Sequence, residues 1–189
     1  MKTFLTLALW FSCSCYASDE KCLALSNLAE TIYRNNSSVN ELQMLQNMER
    51  KAHSIDFAFI KLFSGIAYSG QKFMPNKFKE NSYSFCAQLV EASLKTNKIQ
   101  PPSTFCEPAV RFSNLINAFR ASGDSKEKIK KSIADNFSSY DSATRAVSDY
   151  LALIVEMRFS PMLEDKSDKE FMAFSSVACV SFSAYLKKI

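Results

Sequence analysis

Residues 125–159 read SKEKIKKSIADNFSSYDSATRAVSDYLALIVEMRF, and this stretch decides the fold. Its stripe runs through Ile129, Ile133, Phe137, Tyr140, Thr144, Val147, Leu151 and Ile154, always in steps of three or four. Such steps line one face of a helix that turns about every 3.6 residues. Pro161 ends the run, because proline cannot donate to the helical ladder. A second stripe, Val39, Leu42, Leu45, Met48, Ala52, Ile55, Phe59, Leu62 and Ile66, ends near Gly70 and Pro75.

With 3 glycines and 5 prolines in 189 residues, breakers are few and strand signals scarce. The spacing predicts an all-α bundle of about six helices, over residues 20–35, 39–68, 77–97, 103–122, 125–159 and 168–187. The two long helices have weak points at His53-Ser54 and Ser138-Ser139. Capping pairs Ser38 with Glu41, Thr104 with Glu107, Asp124 with Glu127 and Ser167 with Glu170 mark helix starts.

The chain opens with Lys2, an apolar run from Phe4 to Phe11 and the end Cys15-Tyr16-Ala17, the pattern of a signal peptide over residues 1–17. Cleavage is expected before Ser18. The run is too short to span a bilayer. Trp10-Phe11-Ser12 before Cys13 is not the small-residue context of an acylated cysteine. Residues 18–189 keep 22 of the 23 basic residues and all 19 acidic ones, with four cysteines and no tryptophan. So slight an excess of charge is no nucleic-acid footprint. The basic group Lys126, Lys128, Lys130 and Lys131 is read as the solvated face of a helix. No nucleic acid, and no membrane after signal cleavage, is therefore expected. The compartment is extracellular, or periplasmic in a bacterium.

The order short, long and medium helix occurs twice, on either side of Pro101-Pro102. Cys22 and Cys106 open the copies, Arg34 and Arg120 follow, Tyr68-Ser69-Gly70 and Phe159-Ser160-Pro161 close the long helices, and Cys86 and Cys179 fall in the last ones. This repetition predicts two tandem three-helix units, 18–100 and 101–189.

Four cysteines in an oxidising compartment imply two disulfides. Antiparallel neighbours would leave Cys86 and Cys106 on the order of 12 Å apart along the axis, too far for a bridge. The pairing expected is Cys22 with Cys86 and Cys106 with Cys179, each bridge tying the first helix of a unit to its last. The cysteines form no CxxC pair and lie near no histidine, so no metal site is expected.

Catalytic chemistry has little to work with. His53 is the only histidine, with no nucleophile signature beside it, and reads as structural. Glu41, Asp56, Asp149 and Glu156 stand singly along helices, and no local spacing pairs them as acid and base. No phosphate loop, dinucleotide fingerprint or calcium loop is present. The chain is expected to be no enzyme and to take no cofactor.

Leu25-Ser26-Asn27-Leu28-Ala29, a polar break and Val39-Asn40-Glu41-Leu42 resemble the first two helices of spidroin amino-terminal domains, the helical caps of spider silk proteins. Ser84-Phe85-Cys86-Ala87-Gln88-Leu89-Val90-Glu91-Ala92 is similar to that family's third helix. Phe112-Ser113-Asn114-Leu115-Ile116-Asn117-Ala118-Phe119 is similar to its fourth, and the match spans residues 20–137. The resemblance implies a helical bundle that self-associates, as a silk component. Gln88 and Ser93 stand where that family's dimerisation glutamates would be. A second resemblance is to small cysteine-bracketed periplasmic helical proteins, some of them toxin-immunity proteins.

The function expected is therefore that of a secreted, non-enzymatic helical protein acting by self-association or protein contact, in the setting of silk. The alternative is an inhibitor or immunity protein that binds an enzyme or toxin.

Overall fold

In the computed structural model, residues 19–95, 106–137 and 142–188 are described. Among them lie eight helices and no strand. They are α1 (Asp19–Asn35), α2 (Glu41–Glu49), α3 (Ser54–Ala67), α4 (Pro75–Leu94), α5 (Glu107–Ala121), α6 (Lys126–Phe137), α7 (Ser142–Arg158) and α8 (Asp168–Lys188).

Eight helices stand among the described residues where about six were expected, and the first long stripe is divided. It breaks at residues 50–53, where His53 takes an extended conformation and becomes the N-cap of α3. The bend lets α3 enter the core while α2 buries only Met44 in it, so Val39 and Leu42, in phase with the stripe, are exposed. The second weak point falls in residues 138–141, outside the described residues.

Local chemistry explains most helix ends. Ser167 and Glu170 form the expected capping box: Ser167 N–H donates to Glu170 Oε2 at 2.9 Å and Glu170 N–H to Ser167 Oγ at 3.3 Å. Two other starts differ from the sequence reading. Asn40, not Ser38, caps α2 by accepting from the Gln43 N–H, and Ser125, not Asp124, accepts from the Lys128 N–H. Thr104 lies outside the described residues. Helix α5 ends at Gly123, whose φ of 78° suits a residue without a Cβ. Gly123 N–H bonds Arg120 O, and Asp124 N–H bonds Phe119 O. This is the two-bond closure of a Schellman end.

Helix α1 packs antiparallel on α4, α4 antiparallel on α8, and α5 on α8. Helix α3 packs on α7 and α1, α6 covers α7, and α2 covers α3. One contiguous core joins all of them, from Ile32 and Phe63 through Ile116 and Ile133 to Phe174. Its aromatic centre stacks Phe85 on Tyr185, centroids 5.3 Å apart, and Tyr150 on Phe182 at 4.3 Å. Ser26 and Ser113, both fully buried, each satisfy their hydroxyl on a carbonyl of their own helix.

Both bridges form as expected. Cys22 joins Cys86 with Cα atoms 5.5 Å apart, and Cys106 joins Cys179 at 5.8 Å, all four residues being buried. Each bridge ties helices that already pack together, α1 to α4 and α5 to α8.

Candidate functional site

The carboxylates that stand singly in the sequence are where the fold concentrates its polar chemistry. Glu41, at the start of α2, and Asp149, in the middle of α7, are brought to the same arginine. Arg145 forks onto Glu41, Nη1 to Oε2 at 2.9 Å and Nη2 to Oε1 at 2.5 Å, while its Nε lies 3.7 Å from Asp149 Oδ2. Ser64 Oγ donates to Glu41 at 2.7 Å, and Lys61 Nζ stands 3.2 Å from Asp149 Oδ1. Two acids and two bases thus lock α2, α3 and α7 together.

The two acids respond oppositely to this setting. Burial alone would raise Glu41, but hydrogen bonds from Arg145 and Ser64 and the nearby cations hold it below the ordinary glutamate value. Burial raises Asp149 despite Lys61 and Arg145, because its Oδ2 is enclosed without a hydrogen bond. A salt-bridged glutamate beside an enclosed aspartate does not offer a general acid and a solvated base.

Glu156 is clamped between two lysines of α6. Lys130 bonds Oε1, and Lys126 Nζ stands 2.9 Å from Oε2, outside hydrogen-bond alignment. Burial would lift its pKa, but the two lysines pull it lower. The lysine cluster divides: Lys128, paired with Asp124 at 2.5 Å, and Lys131 are exposed as a solvated face requires, while the half-buried Lys126 and Lys130 reach Glu156.

Arg158, the last residue of α7, is 1 % exposed. Its Nε donates to Asn117 Oδ1 at 3.0 Å, Nη1 to the carbonyls of Leu163 and Lys166, and Nη2 to Asp168 at 3.1 Å. The guanidinium also lies 4.9 Å above the ring of Phe171. One side chain therefore fixes residues 159–167 between α5, α7 and α8.

Asp56 is buried, and burial raises its pKa against the pull of Lys21 and His53. It borders a cleft of about 20 Å³ with Lys21, Phe59, Met157 and Met162, beside the Cys22–Cys86 bridge. A second cleft, between α4 and α8, holds about 10 Å³. Spaces of this size suit about one water molecule. His53 is exposed at the head of α3. Among the described residues no cluster of three His, Cys, Asp or Glu could hold a metal ion, and no helix is long and apolar enough to cross a membrane.

The sequence reading named all four cysteines but missed Lys61, Arg145 and Arg158. The i,i+4 spacing of Arg145 and Asp149 was a local signal for one contact, but the forked partner Glu41 lies 104 residues away. The chain matches no protein-family model, no curated protein and no solved structure.

Proposed function

We propose that this is an exported, non-enzymatic helical protein that acts by self-association or contact with another protein. The observation that carries this reading is where its reactive groups are placed. Both bridges, the Glu41–Arg145–Asp149 cluster, the Glu156 clamp and Arg158 all join one helix to another. A rigid surface is the product of such a design, and protein recognition uses rigid surfaces. The resemblance to spidroin amino-terminal domains suggests a silk-associated structural component as its setting. Sedimentation velocity over a wide concentration range tests self-association: boundaries that shift with concentration are expected, and one monomer boundary throughout overturns it. Export predicts an amino terminus at Ser18 in secreted material.

We also read the halves 18–100 and 101–189 as tandem units, each now of four described helices rather than three. Several pairings support this. Ile32 and Ile116 are both fully buried, ten residues after Cys22 and Cys106. Arg34 bonds Asn76 and Arg120 bonds the Glu164 carbonyl, each reaching the region where the last helix of its half begins. Across the halves, α3 packs on α7 and α4 on α8, like element on like.

A further inference from the structure

We propose that the end of the molecule where α1 finishes, α4 begins and α8 finishes docks peripherally on an anionic lipid bilayer, with Met74 as its apolar tip. The contacts that assemble this end are explicit. Arg34 Nη2 donates to Asn76 Oδ1 at 3.2 Å, the Tyr33 hydroxyl accepts from the Phe73 N–H, and Asn81 Nδ2 donates to Lys188 O at 3.2 Å. The end carries Arg34, Lys72, Lys77, Lys79, Lys187 and Lys188 against two carboxylates, Glu30 and Glu80. Residues 18–189 carry 22 basic and 19 acidic residues, an excess of three, so the surplus of six basic over two acidic residues at this one end exceeds that of the exported chain as a whole. Lys72, Lys187 and Lys188 are exposed and make no ion pair among the described residues. The unpaired N–H groups at the head of α4 add to the positive field.

Met74 is the second observation, and it breaks a local rule. It is the N-cap of α4, a place where Ser, Thr, Asp or Asn would satisfy an open N–H, and it makes no side-chain cap bond. Nor does it pack, since 72 % of it is exposed, the most of any large apolar residue described. A residue that neither caps nor packs signals a role outside the fold. Phe73 beside it is tied down by Tyr33 and Phe78, so the methionine is presented from a fixed base. Basic residues around an apolar tip match the interfacial signature of peripheral membrane proteins, in which cations meet anionic headgroups and the tip enters the acyl boundary. A bilayer is favoured over an acidic peptide because the charges sit on the ends of separate helices, and the nearest cleft, between α4 and α8, holds only about 10 Å³. An extended peptide needs a groove or a sheet edge. The contact is peripheral, with no described helix long and apolar enough to cross the bilayer, and it departs from the sequence expectation of no membrane contact after signal cleavage.

Vesicle flotation with the disulfide-bonded chain tests the proposal, comparing phosphatidylcholine alone with phosphatidylcholine carrying roughly one third phosphatidylserine. Binding is expected only with the anionic lipid, and raising the salt should remove it. Lys72→Gln, Lys187→Gln and Lys188→Gln together should lower partitioning on the order of a hundred-fold, at about five-fold per lysine, with an unchanged melting temperature. Met74→Asn supplies the missing cap without charge, so it should melt no lower than the wild type yet partition about three-fold less. Equal binding to neutral vesicles, no binding at low salt, or indifference to either variant overturns the proposal. Binding to soluble heparin with none to vesicles also overturns it and reassigns the end to a soluble polyanion.

Discussion

Asp149 Oδ2 would lie 2.9 Å from a Cβ on Gly65, so the glycine of α3 is what admits this carboxylate between α3 and α7. Asp149 cannot easily yield, because it is buried and Lys61 holds its other oxygen. Gly65→Ala would gain about 1 kcal/mol of helix propensity but force a contact whose relief typically costs about 1–3 kcal/mol. A net loss is expected in urea unfolding. In the double variant with Asp149→Ala the obstruction is gone, so the two changes should fail to add by about 1 kcal/mol or more. Simple additivity would show that the two residues do not compete for space.

The same cluster sets a pH dependence. Asp149 and Asp56 have folded pKa values above the ordinary 3.8, so on acidification the folded chain takes up their protons first and these groups add stability. Glu41 and Glu156 have folded values below the ordinary 4.5, so their contribution is present above that pH and is lost as pH falls through their folded values. Asp149→Asn should therefore compare best with the wild type near neutral pH and lose that advantage as acid neutralises the native carboxyl. Denaturant unfolding across the acid range reads the difference directly. A gap between the two proteins that stays constant from neutral pH to about pH 4 would show that Asp149 is not held above its ordinary value.

Arg158 gives a sharper stability test. Removing its side chain leaves the Leu163 and Lys166 carbonyls and Asn117 Oδ1 without their donor in a buried place. Asp168 is 70 % exposed and returns to water, so the cost is that of neutral buried acceptors left unsatisfied, about 1–3 kcal/mol. Arg158→Lys should recover little, because one ammonium cannot replace a planar fork that reaches four acceptors. Arg158→Met tests whether packing alone suffices, and melting of Met and Lys variants within a degree or two of the wild type would contradict the role assigned to the fork.

What the sequence made legible was whatever has a local period or spacing. The stripe from Ile129 to Ile154 announced helices, and Ser167 with Glu170 marked the start of α8 correctly. Cysteine placement within those helices was enough to choose the bridges. The His53-Ser54 weak point marked where the 39–68 stripe divides, but which part reaches the core was harder to see, because Val39 and Leu42 keep the helical phase and are nevertheless exposed. Phase records which face a residue occupies, not whether that face reaches the core. Arg145 and Asp149 stand four residues apart on α7, a spacing the sequence does show, but Glu41 and Lys61 reach them only through the packing of α2 and α3 on α7. Arg158 looks in sequence like any basic residue ending a helix, and only the surrounding loop reveals that it is buried.

The two bridges also bear on whether the halves unfold independently. Cys22–Cys86 and Cys106–Cys179 span 64 and 73 residues. By chain entropy each loop should contribute on the order of 4 kcal/mol by narrowing the unfolded ensemble. Non-reducing peptide mapping should recover these two pairs, and reduction should lower the melting temperature markedly. Cys22→Ser with Cys86→Ser should leave the Cys106–Cys179 bridge intact, because α5 and α8 pack on each other without α1. The loss should nevertheless be felt throughout the molecule, since α4 packs on α8 and both halves contribute to one core. A single cooperative transition at lower temperature is therefore expected from the one-bridge variant. Two separate transitions would mean that the halves unfold as independent domains, and recovery of Cys86 joined to Cys106 would mean that α4 and α5 meet in a register the described packing forbids.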